Sequence, residues 1–232
     1  MYLSIVIPVF NEKNNIEKLI RKINLILKKK KIEIIVVDDS STDGTTQLLR
    51  NIQKKYINLK VIYRKNKKRD LSKSCASAFE KSKFKKIVVM DGDLQHDPIY
   101  IPKMLSIFEK KKCDIVIGSR NLINKRIKSL SFFRQLSSYF IIKLIGILFE
   151  KKTIDPMSGF FLFHKKIYIR NKKKLYLNGF KILTDLIYSQ KNLIIEDLII
   201  KFNYRVKGKS KLNLRVLLLL IKFIFLKFFK II

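Results

Sequence analysis

Leu3-Ser4-Ile5-Val6-Ile7-Pro8-Val9, then an apolar stripe at Ile16, Leu19, Ile20, Ile23, Ile26 and Leu27, then Glu33-Ile34-Ile35-Val36-Val37, decide the fold of this chain. The first and third segments are short, continuous and rich in β-branched residues, the composition of strands buried on both faces. The stripe between them follows i, i+3, i+4, i+7 spacing and spells an amphipathic helix. The pattern continues outward in strand-like runs at Leu59 to Tyr63, Lys86 to Met90 and Asp114 to Ile117. Such alternation predicts an α/β fold, a mostly parallel central sheet flanked by helices, over roughly residues 1 to 120. Ligands of such sheets gather beyond the carboxyl ends of the strands. The residues just after each strand therefore matter most.

The chain has 232 residues, enough to bury a substantial core, and its 47% hydrophobic and 11% aromatic content excludes a disordered polymer. Its 51 Lys+Arg against 18 Asp+Glu give a formal net charge of +33. That excess suits nucleic acid, an anionic membrane surface or a phosphorylated substrate. The Lys, Ile, Asn and Phe bias that an A/T-rich genome imposes explains it equally well, so charge alone identifies no partner. Cys75 and Cys113 stand at no metal or redox spacing, and reduced thiols are expected. The N-terminus opens straight into the first strand, so no signal peptide is expected. Lys or Arg interrupts every apolar run before the ~18 residues of a spanning helix.

Beyond Arg120 the regularity fades into a basic stretch, an apolar segment from Phe132 to Phe149, and Asp155-Pro156-Met157-Ser158-Gly159-Phe160-Phe161. A short helix is expected around Ile182 to Tyr188 and a strand from Leu193 to Phe202. The tail from Asn213 to Ile232 is apolar, with Arg215, Lys222, Lys227 and Lys230 spaced through it and no acid.

Acids are scarce, yet Asp38, Asp39 and Asp43 follow the second strand, and Asp91, Asp93 and Asp97 follow the fourth. Carboxylates crowded at neighbouring strand ends repel one another, and a divalent cation or a ligand's hydroxyls and base would relieve them. Helix capping is the plain alternative and suits Asp43 and Asp97, since a cap uses one acid per helix. No G-x-G-x-x-G follows the first strand and no G-x-x-x-x-G-K-[ST] occurs, so dinucleotide-oxidoreductase and P-loop readings lose their support. A hard cation gripped by Asp93 and an oxygen donor such as Gln95 would instead bridge a diphosphate.

Ile7-Pro8-Val9-Phe10-Asn11-Glu12, Val36-Val37-Asp38-Asp39-Ser40-Ser41-Thr42-Asp43-Gly44-Thr45 and Met90-Asp91-Gly92-Asp93-Leu94-Gln95-His96-Asp97-Pro98 resemble the three signatures of family-two inverting glycosyltransferases. The third is the most selective and is similar to that of the polyprenol-phosphate hexosyltransferases, above all the dolichol-phosphate mannose synthases. Gly118-Ser119-Arg120, the Asp155 to Phe161 segment, Gly179-Phe180-Lys181-Ile182-Leu183 and Arg205-Val206-Lys207-Gly208-Lys209-Ser210-Lys211-Leu212 extend the likeness over residues 3 to 212. One departure exists. Arg69-Asp70-Leu71-Ser72-Lys73-Ser74 lacks the glycine that many relatives carry before the third helix.

The resemblance implies a GT-A-type nucleotide-sugar-binding fold with a nucleotide-sugar half at 1–120, an acceptor and catalytic half at 121–212 and an amphipathic membrane-associating tail at 213–232. It implies nucleotide contacts at Pro8, Phe10, Glu12, Asp39 and Asp91, with Val37 lining the base pocket. Asp91, Asp93 and Gln95 would hold Mg²⁺ or Mn²⁺ and the donor phosphates. Asp93, Arg120, Arg205 and Lys211 would be catalytic, and Arg120, Arg134, Ser158 and Arg205 would face the acceptor phosphate. Ser158, Gly159 and Phe160 also read simply as a turn leading into a core strand.

The implied reaction is transfer of a hexose, mannose from GDP-mannose, to a polyprenyl or dolichyl phosphate with inversion at the anomeric carbon. A phosphate monoester, with a second pKa of ~6, is already anionic at neutral pH and needs no general base. A hydroxyl acceptor would need one, with Asp155 or Asp185 as candidates. Other readings are a transferase using a UDP-sugar such as UDP-glucose and, remotely, a basic nucleic-acid binder, which acids at strand ends argue against. A polyprenyl acceptor puts the enzyme peripherally on the cytoplasmic face of a membrane and leaves room for a membrane-anchoring partner subunit. In a helical tail Arg215, Lys222 and Lys230 gather on one side and Leu217, Leu218, Leu220, Ile221, Ile224, Phe225 and Phe228 cover the rest, as in an interfacial helix. A terminal helix packed on the domain is the competing picture.

Overall fold

The computed structural model describes residues 2–65, 69–120, 132–150, 152–179 and 181–203, with backbone alone over 132–138, and positions 222, 224–226, 228 and 229 of the tail. Strands β1 (Tyr2–Val9), β2 (Lys31–Asp38), β3 (Leu59–Tyr63), β4 (Lys86–Val89), β5 (Ile115–Ser119), β6 (Phe161–His164) and β7 (Ile195–Ile199) form one sheet in the order β3-β2-β1-β4-β6-β5-β7. Neighbours pair in parallel except β6, which runs antiparallel to both β4 and β5. The helices are α1 (Ile16–Ile26), α2 (Thr45–Gln53), α3 (Leu71–Lys81), α4 (Ile101–Lys110), α5 (Phe132–Leu148), α6 (Lys165–Asn171) and α7 (Ile182–Tyr188).

Successive side chains of a strand point to opposite faces, and here both faces are dry. Leu3, Ile5, Ile7 and Val9 of β1 join a core built with α1, α2 and α4, while Val6 joins a second core with α3, α6 and α7. Two buried faces explain why the strands read as unbroken apolar runs. Helix α1 buries Ile16, Leu19, Ile20 and Ile23 completely, each contributing roughly 1.5–3 kcal/mol of transfer free energy.

This topology assembles one rim. The carboxyl ends of β1, β2, β4, β5 and β7 lie along the same edge of the sheet. Because β6 is reversed, it begins at that edge, with Phe161 opposite Val89 and Ile117. The segment leading into it, Asp155 to Phe160, therefore reaches the rim, where the Gly118 N–H donates to the Phe160 carbonyl at 2.8 Å.

The apolar segment after the basic stretch is α5, and the tail packs on it. Ile224 is fully buried with Ile141, Ile142 and Ile145 of α5 and with Met157, and the Phe228 ring meets that of Phe149 at 6.0 Å. The apolar segment and the tail thus cover each other in part, leaving Phe225, Phe228 and Phe229 exposed on the tail and Tyr139, Phe140 and Ile147 exposed on α5. No helix among the described residues is long and apolar enough to cross a membrane. Cys75 and Cys113 are free thiols, both buried.

Candidate active site

The loop after β1 is tied to the loop after β2. The Asn11 N–H donates to Ser41 Oγ at 2.9 Å, the Thr42 N–H donates to Asn11 Oδ1 at 2.8 Å, and the Glu12 N–H donates to Thr45 Oγ1 at 3.0 Å. Glu12 is buried and accepts from Asn15 Nδ2 at 2.8 Å. Pro8 lies opposite Val37 in the sheet, and Val37 is fully buried on the α3 face. Phe10 stands at the rim with the Arg69 guanidinium 4.1 Å from its ring centre. Asp43 accepts from the Thr45 N–H at 3.0 Å ahead of α2, and Asp97 accepts from the Ile99 N–H at 3.0 Å ahead of a short 3-10 turn. Asp97 therefore caps that turn, whereas Asp43 precedes Gly44, the N-cap of α2, and supports the helix's first N–H from one residue outside.

Asp39 is a different case. Its Oδ1 accepts from Arg64 Nη1 at 2.6 Å and its Oδ2 from the Asp70 N–H at 2.7 Å, with Asp39 and Arg64 both nearly buried. The same Arg64 nitrogen donates to the Asp70 carbonyl at 2.9 Å and to Ser74 Oγ at 2.8 Å. Neither Arg64 nor Asp70 was legible as a site residue. A helix-capping pattern marks Asp70, whose Oδ1 accepts from the Lys73 N–H at 3.0 Å, but nothing local announces the longer contacts.

After β4 the chain turns through Asp91, Gly92, Asp93 and Leu94. The Asp91 side chain is 38% exposed, whereas Asp93, Gln95 and His96 are buried. Asp93 Oδ1 accepts from the Gln95 N–H at 3.1 Å, and Leu94 between them has φ 64°. The Gln95 carbonyl accepts from the Asn203 N–H at 3.0 Å and its Nε2 donates to the Asn203 carbonyl at 3.2 Å, which fastens this loop to the residues after β7. His96 Nδ1 lies 3.5 Å from Asp91 Oδ2, and its ring sits 5.4 Å from Phe160 and 5.2 Å from Phe202. A methyl group added at Gly159 would collide with the Asp91 carboxylate. The segment from the second half of the chain is thus seated directly on the acid of the first.

The Arg120 Nε and Nη2 donate to Asp155 at 2.7 and 2.9 Å, forming a bidentate pair in which Asp155 is 0% exposed. Burial lowers the Arg120 pKa, but the charge and hydrogen bonds of Asp155 outweigh that and leave it above its ordinary value. Asp155 is held at the rim by Thr153 Oγ1, which in turn donates to Asp197 Oδ1 of β7 at 2.6 Å. Ser158 Oγ donates to the Gly118 carbonyl at 2.7 Å and accepts from the Phe160 N–H at 3.1 Å, so it shapes the turn into β6. Asp185 is buried and accepts from the Leu177 N–H at 3.1 Å. Arg205, Lys211 and the Arg134 side chain lie outside the described residues.

Among the described residues no group of three or more His, Cys, Asp or Glu is arranged as a metal cage. The donors at Asp91, Asp93 and Gln95 are all oxygens, and Mg²⁺ or Mn²⁺ commonly uses one or two carboxylates plus substrate phosphates rather than an all-protein cage. The residues present fit such an ion.

A mostly parallel seven-stranded sheet flanked by helices, with acid-bearing loops beyond adjacent strands, defines a GT-A-type nucleotide-sugar-binding domain. The chain belongs to glycosyl transferase family 2, which matches residues 4–171. A dolichol-phosphate mannosyltransferase of Pyrococcus furiosus is 36% identical over 217 residues, which are 92% of this chain and 60% of that protein. One of Saccharomyces cerevisiae is 30% identical over 93% of this chain and 82% of its own length. Glucosyl-3-phosphoglycerate synthase of Mycobacterium tuberculosis, crystallised with Mn²⁺, uridine diphosphate and glucosyl-3-phosphoglycerate, superposes with a TM-score of 0.68. It covers 98% of this chain and 78% of that one at 18% identity, a likeness of fold alone.

Proposed function

We propose that this chain transfers a hexose, mannose from GDP-mannose, to the phosphate of a polyprenyl or dolichyl phosphate with inversion, in a divalent-metal-dependent reaction at the cytoplasmic face of a membrane. Residues 1–120 would bind the donor and residues 121–212 the acceptor. The named relatives support the reaction class. The observation that carries the choice of acceptor is the Asp155 carboxylate, fully buried and bonded through both oxygens to Arg120. A carboxylate so committed is no general base for a hydroxyl, whereas a phosphate acceptor is already anionic and needs none. Asp185, the other candidate, is likewise buried and accepts from the Leu177 N–H.

In this reading Phe10, Glu12 and Asp39 line the nucleotide side, Asp39 being held rigid by Arg64 and the Asp70 N–H. Asp91, Asp93 and the Gln95 amide oxygen would hold Mg²⁺ or Mn²⁺, which when bound offsets charge on the leaving diphosphate. Gly159, having no side chain, leaves open the space that the Asp91 carboxylate occupies. Arg120 has its charge balanced by Asp155 in a buried pair, and with Arg134, Arg205 and Lys211 it would make up the cationic side chains expected where two anionic reactants must approach. The rim's acids oppose a nucleic-acid partner.

The test is incubation of purified protein with labelled GDP-mannose and polyprenyl phosphate, with and without chelator, alongside a UDP-glucose arm. A chelator-sensitive, mild-acid-labile glycolipid formed from GDP-mannose is the expected product. Product from UDP-glucose alone overturns the donor, and transfer to a hydroxyl overturns the acceptor. Asp93→Ala should abolish turnover while the circular-dichroism spectrum stays that of the parent; retained turnover removes the metal role.

A further inference from the structure

The departure at Arg69-Asp70-Leu71-Ser72 turns out to be a built junction. Asp70 is 5% exposed and uses every polar atom it has. Its N–H donates to Asp39 Oδ2, its carbonyl accepts from Arg64 Nη1 and from Ser74 Oγ, and its Oδ1 caps α3 at the Lys73 N–H. The remaining oxygen, Oδ2, accepts from the Gly179 N–H at 3.0 Å, across 109 residues of sequence. A second bond, Ser72 N–H to the Gly179 carbonyl at 3.0 Å, doubles the clasp. Gly179 has φ 104°, a conformation open chiefly to glycine.

What the clasp holds matters for the site. Two residues on, Lys181 Nζ donates to the Met157 carbonyl at 3.1 Å, and Thr184 Oγ1 donates to the Pro156 carbonyl at 2.7 Å. Those carbonyls belong to the segment whose Gly159 backs the Asp91 carboxylate. A line of bonded groups therefore runs from the donor-side acid Asp39, through Asp70 and Gly179, to the Asp155 to Gly159 wall. Capping alone does not explain Asp70, because a serine caps a helix about as well and cannot reach so far.

We propose that Asp70 is a positioning residue that joins the donor-side rim to the acceptor-side wall, and that its carboxylate, through Gly179, keeps that wall aligned for transfer. This deepens the proposed function and rests on it for the kinetic part of its test only. Substitution leaves the backbone N–H that supports Asp39 in place, so nucleotide binding should survive while turnover suffers.

The experiment compares the full chain with Asp70→Ser, which keeps the cap and cuts the reach, and with Asp70→Asn, which cannot accept both N–H groups. Amide hydrogen exchange without substrate should speed up at 177–181 in both. The affinity for GDP, by calorimetry, should stay within about twofold, while kcat falls on the order of tenfold, the weight of one hydrogen bond to a charged group. Unchanged exchange and unchanged kcat overturn the proposal. A parallel fall in GDP affinity, kcat and melting temperature also overturns it, since that marks a general support of the fold. If the parent neither binds GDP nor makes glycolipid, the proposed function fails, and the exchange comparison still decides whether the clasp exists.

Discussion

Leu94, at φ 64°, occupies a backbone region that a branched side chain visits at a cost, and it does so between the two residues expected to meet a metal. Asn11 (φ 56°) and Ser40 (φ 63°) do the same after β1 and β2, so left-handed residues recur where strands deliver side chains to the rim. Such turns redirect the chain sharply, and at Leu94 the turn sets Asp93 and Gln95 at their present angles. Leu94→Gly should therefore relieve about 1–3 kcal/mol of strain. It also removes a side chain packed on the core, so the melting temperature should move little while kcat drops as the loop loosens. A kcat equal to the parent's would mean that the turn imposes no useful geometry. Gly159→Ala probes the same loop from the other side. The added methyl must displace the Asp91 carboxylate, and kcat should fall by roughly tenfold or more, the weight of one misplaced electrostatic group. Full activity in this variant would show that the orientation of Asp91 does not matter.

At the scale of elements, what could be read from sequence was whatever repeats locally. The period of α1 and the apolar runs of β1 to β5 predict elements close to those found, because core-facing residues within one element share a spacing. The reversal of β6 and its insertion between β4 and β5 have no such signature, since strand order is a matter of partners distant in sequence. The candidate site divides the same way. Asp39, Asp91 and Asp93 stand out because acids are rare and follow strands, whereas the Arg64–Asp39 and Arg120–Asp155 pairs join residues 25 and 35 positions apart and leave no local trace. The start of β2 holds another such partnership. Burial raises the Glu33 pKa, but hydrogen bonds from Lys60 Nζ, Ser4 Oγ and the Lys83 N–H outweigh it, leaving the carboxyl below its ordinary 4.5. A folded-state pKa below the unfolded one gives stability that is present above 4.5 and lost as pH falls through the folded value. Glu33→Gln should be less stable than the parent at pH 7 in thermal or urea unfolding, with the gap narrowing on acidification below about pH 4.5. A gap independent of pH would assign the loss to packing instead.

The whole molecule combines a net charge of +33 with exposed aromatic side chains at Phe225, Phe228 and Phe229 on a tail anchored through Ile224 to α5. These features bind membranes by separable physics. Attraction to anionic lipid is worth about 1 kcal/mol for each Lys or Arg near the surface. That attraction weakens as the screening length shortens from about 10 Å at 0.1 M salt to about 3 Å at 1 M. Insertion of aromatic rings into the interface depends on apolar burial, which salt does not screen. If the polyprenyl acceptor is met at a membrane, charge should gather the protein and the rings should hold it. Sedimentation with anionic and neutral vesicles at both salt concentrations tests this. The parent should bind anionic vesicles strongly at 0.1 M and retain a smaller bound fraction on both vesicle types at 1 M. Replacing Phe225, Phe228 and Phe229 with serine should abolish the salt-resistant fraction and spare most of the low-salt binding, because no cation is removed. Since Ile224 keeps its buried place in that variant and the Phe228–Phe149 ring contact is the packing lost, its melting temperature should fall by only a few degrees, which separates lost insertion from a detached tail. Complete release of the parent at 1 M salt would leave net charge as the sole attachment, and the tail would then be a packing element of the domain.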